Sequence, residues 1–306
     1  MSIPTPTAAR TAGPPAAANN PRSSKRHYNL WRADFVIGST IIAFWVLCAL
    51  FPALLTSLDP TSVDMTKGLS SLGEPLPPGT EGHWLGTDPL GRDELSRLVY
   101  GAQVALLMAV VPNAIALLLA VLVGVTAGVV RGKVEFVLMR CTEAVMVLPG
   151  FLIAMAVVAT FGTSTTVLVF TLVAFSWTYP TRVVYGETLK LREMLFVEAA
   201  RSMGASSLRL ALTHIVPHLR ALLIVYFTMN AAFMVLLEAS LGFLGFGVQP
   251  PTPSWGLMLA EARDQFFYPW LMVLPGICLA SLCIGFYLMG QGIENAGKPV
   301  EQAVRL

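Results

Sequence analysis

LVYGAQVALLMAVVPNAIALLLAVLVGVTAGVV, residues 98–130, contains no Asp, Glu, Lys or Arg. A helix of about 20 apolar residues crosses about 30 Å of hydrocarbon. This run of 33 residues therefore exceeds the length of one membrane span. The whole chain shares its character: of 306 residues, 55% are hydrophobic and 12% charged, with a mean hydropathy of +0.67. Soluble domains carry about 25% charged residues, so this chain lacks the polar side chains to coat a globule of its size. A soluble enzyme is excluded on that ground, and an intrinsically disordered chain on the ground of its apolar content.

Four further runs complete the pattern. Phe35–Leu58 is uncharged. Ala144–Thr181 is also uncharged, but Gly162-Thr163-Ser164-Thr165-Thr166 interrupts it, so it reads as two short helices joined by a tight loop. Ala221–Ala260 holds a fifth helix followed by a Gly/Pro-rich loop, with Glu238 its one charge. Gln265–Ile293 is the sixth span. The expectation is an all-α membrane protein of six transmembrane helices. With six spans, 16 of the 20 Lys and Arg residues fall on one side, six of them in the loop 182–220. Basic residues concentrate on the cytoplasmic side, which places both termini in the cytoplasm.

Residues 1–34, rich in Ala, Pro, Thr and Asn, read as a disordered cytoplasmic tail. The first span is expected over 35–58, an extracytoplasmic segment with an amphipathic helix over 59–102, a five-helix core over 103–293, and a cytoplasmic C-terminus over 294–306. The four cysteines read as small buried hydrophobes. His214 and His218 lack a carboxylate or thiol at ligand spacing, so no metal site is expected. No phosphate-binding Gly-x-x-x-x-Gly-Lys-Ser/Thr and no nucleophile–base set occurs.

The loop 182–220 contains Phe196-Val197-Glu198-Ala199-Ala200-Arg201-Ser202-Met203-Gly204-Ala205-Ser206, and then His214-Ile215-Val216-Pro217. Leu195–Met203 favours a short helix that Gly204 ends. Leu208–Ile215 favours a second, stopped at Pro217. Paired alanines leave a low surface for another protein. The bland alternative is an amphipathic loop whose arginines meet anionic lipid. The motif resembles the EAA loop of ABC importer permeases, the coupling helix that docks on the ATPase. The resemblance assigns Glu198, Ala199, Ala200, Arg201, Gly204 and Pro217 to that contact. Val216 stands where the family usually has Leu.

Two other stretches resemble the C-type permease subunits of the dipeptide, oligopeptide and nickel importers. The first is His83-Trp84-Leu85-Gly86-Thr87-Asp88-Pro89-Leu90-Gly91-Arg92-Asp93-Glu94-Leu95-Ser96-Arg97. Its acids and arginines suggest an ion-paired outer element. Asp88, Arg92 and Asp93 either meet a charged cargo or close on one another. The second is Glu238-Ala239-Ser240-Leu241-Gly242-Phe243-Leu244-Gly245, continuing to Gly256. Glu238 is costly inside a span. It, Gly242 and Gly245 either line a pathway or fix helix packing.

The resemblance implies a type I ABC importer permease fold, with peptide as cargo. It implies a homologous B-type permease, two P-loop ATPases that bind ATP and Mg, and an extracytoplasmic binding protein. This chain itself would bind no cofactor and no nucleic acid, and would sit in the plasma membrane of a prokaryote among its lipids. The alternatives are a permease for nickel or another small solute, a stand-alone ion-coupled transporter using Glu238, and an intramembrane enzyme.

Overall fold

The structure, a computed structural model, describes residues 21–296. The expectations for residues 1–20 and 297–306 lie outside the described residues. The regular elements among the described residues are all helices, without strands. Helix α1 (Pro21–Leu50) begins well before the expected first span. Disorder up to residue 34 is thus corrected from Pro21 onward. The helix also stops eight residues short of Leu58, because Pro52 lacks the N–H to continue it and opens a short 3-10 turn.

Residues 51–93 form an irregular outer segment that leads into α2 (Glu94–Val130). Asp93 caps this helix: its carboxylate accepts from Ser96 N at 2.8 Å. Helices α3 (Gly132–Val147) and α4 (Gly150–Phe161) bend by 80° at Leu148-Pro149. The bend follows from Pro149, which holds Leu148 extended. Lys133 and Arg140, which lie between the uncharged runs 98–130 and 144–181, are carried on α3. A turn at residues 162–164 leads to α5 (Thr165–Ser176), capped by Ser164. A 40° bend then leads to α6 (Thr178–Arg192). Next come α7 (Leu195–Ser202), α8 (Ser207–Arg209), a π-helical turn (Leu210–Ile215) and α9 (Val216–Phe243). Helices α10 (Trp255–Ala262) and α11 (Trp270–Ala296) complete the described residues. Among these residues four helices are long and apolar enough to cross a membrane, and up to six spans result if each bent pair counts as one.

Pro217 does not stop a helix, contrary to expectation. Ser207–Phe243 is one continuous helical span. The wider π turn lets the chain pass a residue that cannot donate to the ladder.

Helix α2 contributes to three apolar clusters. It meets α1, α9, α10 and α11 near Trp45, Leu98 and Trp255. It meets α4, α5 and α9 through Met108, and α6 and α9 through Val125 and Val129. Apolar burial cannot by itself hold helices together in lipid, so small residues and polar bonds carry the contacts. Gly124 packs on α6 so closely that an added Cβ would sit 2.8 Å from the Thr181 carbonyl oxygen. At mid-span, Asn230 donates to Asn113 Oδ1 at 2.7 Å, and Asn113 donates to the Phe227 carbonyl at 2.8 Å. Gly124→Ala is expected to cost about 1–3 kcal/mol, because two of the three nearest atoms, from Thr181 and Tyr185, are backbone and cannot step aside. Gly186→Ala is the control, since a Cβ there meets nothing within 4 Å. Thermal unfolding of both variants in detergent checks the difference.

Candidate functional site

The loop 182–220 is built on α6, which ends at Arg192; a turn at Glu193-Met194, with Met194 extended, leads into α7. Arg192 at the end of α6 donates to the Gly128 carbonyl of α2 at 3.3 Å. Helix α7 ends in a glycine-centred turn. Gly204 N bonds the Arg201 carbonyl at 2.9 Å, and Ala205 N bonds the Ala200 carbonyl at 3.1 Å. This double bond pattern needs a left-handed residue, and Gly204 supplies it with φ +87°. Ala200 faces inward with Val197 and Leu210. Glu198, Ala199, Arg201, Gly204 and Pro217 are exposed.

Of the two paired alanines, then, only Ala199 is available to a partner surface. Ala200 holds α7 against the start of the π turn. The Phe196 ring stacks on His218 at 4.8 Å, which fixes α7 to α9. Sequence reasoning missed Leu195, Met203 and Leu208, exposed by 84%, 83% and 69%. Apolar groups this exposed, clustered outside the spans, mark a contact surface. Their helical spacing gave no sign of it, because the turn at Gly204 separates Leu208 from α7 in sequence while Leu210 packs beneath α7.

At the other end of α2, Asp88, Arg92, Asp93 and Arg97 come together, all buried. Asp88 Oδ2 accepts from Arg92 Nε at 2.6 Å and from Arg97 at 2.5 Å. Both arginines also reach Glu261 on α10, at 3.0 and 2.6 Å. Burial alone would lower the Arg92 pKa, but Asp88 and Glu261 raise it above its ordinary value. Asp93 serves Ser96 and His83, the latter at 2.9 Å. Glu261 was missed in the sequence because it lies 164 residues from Arg97. The charges close on one another, so Asp88, Arg92 and Asp93 form a clasp between the outer segment and α10. Beside them Glu94 is buried with Oε2 unpartnered among the described residues.

Glu238 is 2% exposed and faces the start of α10. Ser254, which caps α10, lies beside it, and Glu238 Oε1 has no hydrogen-bond partner among the described residues. Gly242 packs on Gly256, where an added Cβ would lie 3.0 Å from the Gly256 Cα. Gly245 has φ +86° and closes α9 with the same turn that ends α7, Phe246 N bonding the Leu241 carbonyl at 2.8 Å. These three residues thus join α9 to α10. No group of three or more candidate metal ligands occurs among the described residues.

A multi-helix membrane domain bearing an exposed helix–turn–helix at one end and a folded clasp at the other defines a transport component. Residues 120–296 match the family described as binding-protein-dependent transport system inner membrane component, and the chain belongs to that family. It is a multi-pass inner-membrane permease of the ABC importer type. It is 39% identical over 226 residues to the glutathione transport system permease protein GsiD of Escherichia coli O6:K15:H31, covering 71% of this chain and 72% of the relative. The corresponding protein of Pectobacterium atrosepticum is 35% identical over 218 residues, with 71% and 72% coverage. A solved chain of the MetNI methionine ABC transporter shares the fold with a TM-score of 0.53 at 20% identity, covering 69% of this chain and 97% of that one.

Proposed function

We propose that the chain forms one half of the translocation pathway of an ATP-driven importer of short peptides, glutathione-sized cargo included. A homologous B-type permease supplies the other half. Two P-loop ATPases, which bind ATP and Mg, dock from the cytoplasm, and an extracytoplasmic binding protein delivers cargo. The chain itself binds no cofactor and breaks no bond. The placement of 16 of 20 basic residues supports cytoplasmic termini and a cytoplasmic coupling loop.

One observation carries the coupling role: α7 presents Leu195, Met203, Glu198 and Arg201 outward, while Phe196 stacks on His218 of α9 and Arg192, just before α7, bonds the Gly128 carbonyl of α2. A push on α7 therefore reaches two spanning helices through these contacts. Membership beside glutathione permeases supports a peptide-like cargo over nickel or sugar. A secondary transporter using Glu238 is less favoured, because Glu238 is buried at the contact of α9 with α10 and the chain's relatives are ABC permeases.

The test is ATP hydrolysis by the assembled complex. Binding protein loaded with di- or tripeptides is expected to stimulate it severalfold. Stimulation by nickel or a sugar alone would refute the peptide reading.

A further inference from the structure

Outside the clasp, a cavity of about 560 Å³ opens on the outer side of the fold. That size lies within the 300–1,000 Å³ typical of small-ligand sites. It is walled by the chain leaving α1 (Thr56, Asp59), by the first turns of α2 (Tyr100, Gln103) and by the proline-rich connection before α10 (Thr252, Pro253). Among the described residues, Asp59 is the one charged residue in its lining, and no Lys or Arg lines it.

The Asp59 carboxylate is arranged with one oxygen to spare. Thr61 donates both its N–H and its hydroxyl to Oδ1, at 2.8 and 2.7 Å. Oδ2 has no partner among the described residues. The Thr61 hydroxyl and amide hold the carboxyl below the usual carboxylate range, so it is ionised at neutral pH. The acids of the clasp differ: Asp88 and Asp93 are buried and spend their oxygens on arginines, Ser96 and His83. Asp59 is exposed and thus places an unneutralised carboxylate at the rim of a roomy cavity edged by a phenol ring, hydroxyls and proline faces. Such a setting suits an ammonium group attached to a small, partly apolar body.

We propose that this cavity is an entry subsite receiving the cationic amino terminus of a peptide, with Asp59 as its counter-charge. The inference rests on the peptide reading above and adds a residue and an orientation to it: amino end outward-side, carboxyl end towards the pathway. Among the described residues the lining offers no Lys or Arg as a counter-charge for the carboxyl end.

The test uses the whole complex, with ATPases and binding protein, carrying benzoylphenylalanine at Thr252. Radiolabelled trialanine and N-acetyl-trialanine are the probes. Photolabelling by trialanine is expected to fall about tenfold on N-acetylation and on Asp59→Asn, as for loss of one charged hydrogen bond. Asp59→Glu, which keeps the charge, is expected to retain most of the labelling. Equal labelling by both peptides, or labelling unchanged in Asp59→Asn, would overturn the subsite. Uptake measured in the same vesicles separates the two ideas. Trialanine uptake without labelling overturns the subsite alone, whereas absence of uptake overturns the peptide reading together with it.

Discussion

Gly204→Val is expected to reduce ATP-driven uptake by at least tenfold while leaving nucleotide binding by the ATPases unchanged. The reason is backbone geometry rather than space. A Cβ at residue 204 meets nothing within 4 Å, but the residue has φ +87°. Left-handed geometry costs an ordinary L-residue about 1–2 kcal/mol, and a β-branched one more. Valine would therefore open the turn that ends α7 and withdraw the bonds from Gly204 and Ala205 to the last turn. Leu208 and Met203, which flank that turn, would no longer present a single face. Asparagine tolerates the left-handed region, so Gly204→Asn is expected to retain most activity. Gly204→Asp shares that tolerance but adds a charge to the exposed face, and is expected to fail in transport for that reason. Uptake and cargo-stimulated ATP hydrolysis in proteoliposomes measure all three. Full transport by Gly204→Val would remove α7 from the coupling role.

Asp88→Ala is expected to have the largest effect on stability, about 3–5 kcal/mol, because it strands buried guanidinium groups. Arg92 and Arg97 both bond its Oδ2. After the change they keep only Glu261, whose side chain is 27% exposed and serves both. The outer segment would detach from α10, and α2 would lose the anchor of its first turn. The readout is thermal unfolding of the purified protein together with protease cleavage within residues 51–93. Replacing Asp88, Arg92, Arg97 and Glu261 together by apolar residues of similar volume is expected to be far milder, since no charge is then left uncompensated. Loss of cargo selectivity in Asp88→Ala, with unchanged stability, would return these charges to the pathway.

The spans were legible in the sequence because a bilayer demands unbroken apolar length, and runs such as 98–130 announce it. The clash of Gly162 and Ser164 with that pattern marked the turn between α4 and α5. Local signals failed where a distant or a bent partner decided the outcome. Pro217 reads as a stop, yet the π turn before it carries the chain through. Leu148-Pro149 turns one span by 80°, a bend that composition does not encode. The charges at 88–97 were visible, but their role was not, because Glu261 enters the clasp from α10. Ala199 and Ala200 look equivalent in sequence, and only the fold of Leu210 beneath α7 separates the buried one from the exposed one.

The central claim is that the chain transports only as one wall of an ATP-driven assembly. Uptake of trialanine and glutathione into proteoliposomes tests it most directly. One set of vesicles holds this chain with its partner permease, ATPases and binding protein, and the other holds the chain alone under a proton or sodium gradient. ATP-dependent uptake by the complete assembly and none by the lone chain is the expected result. Gradient-driven uptake by the lone chain without ATP would contradict it.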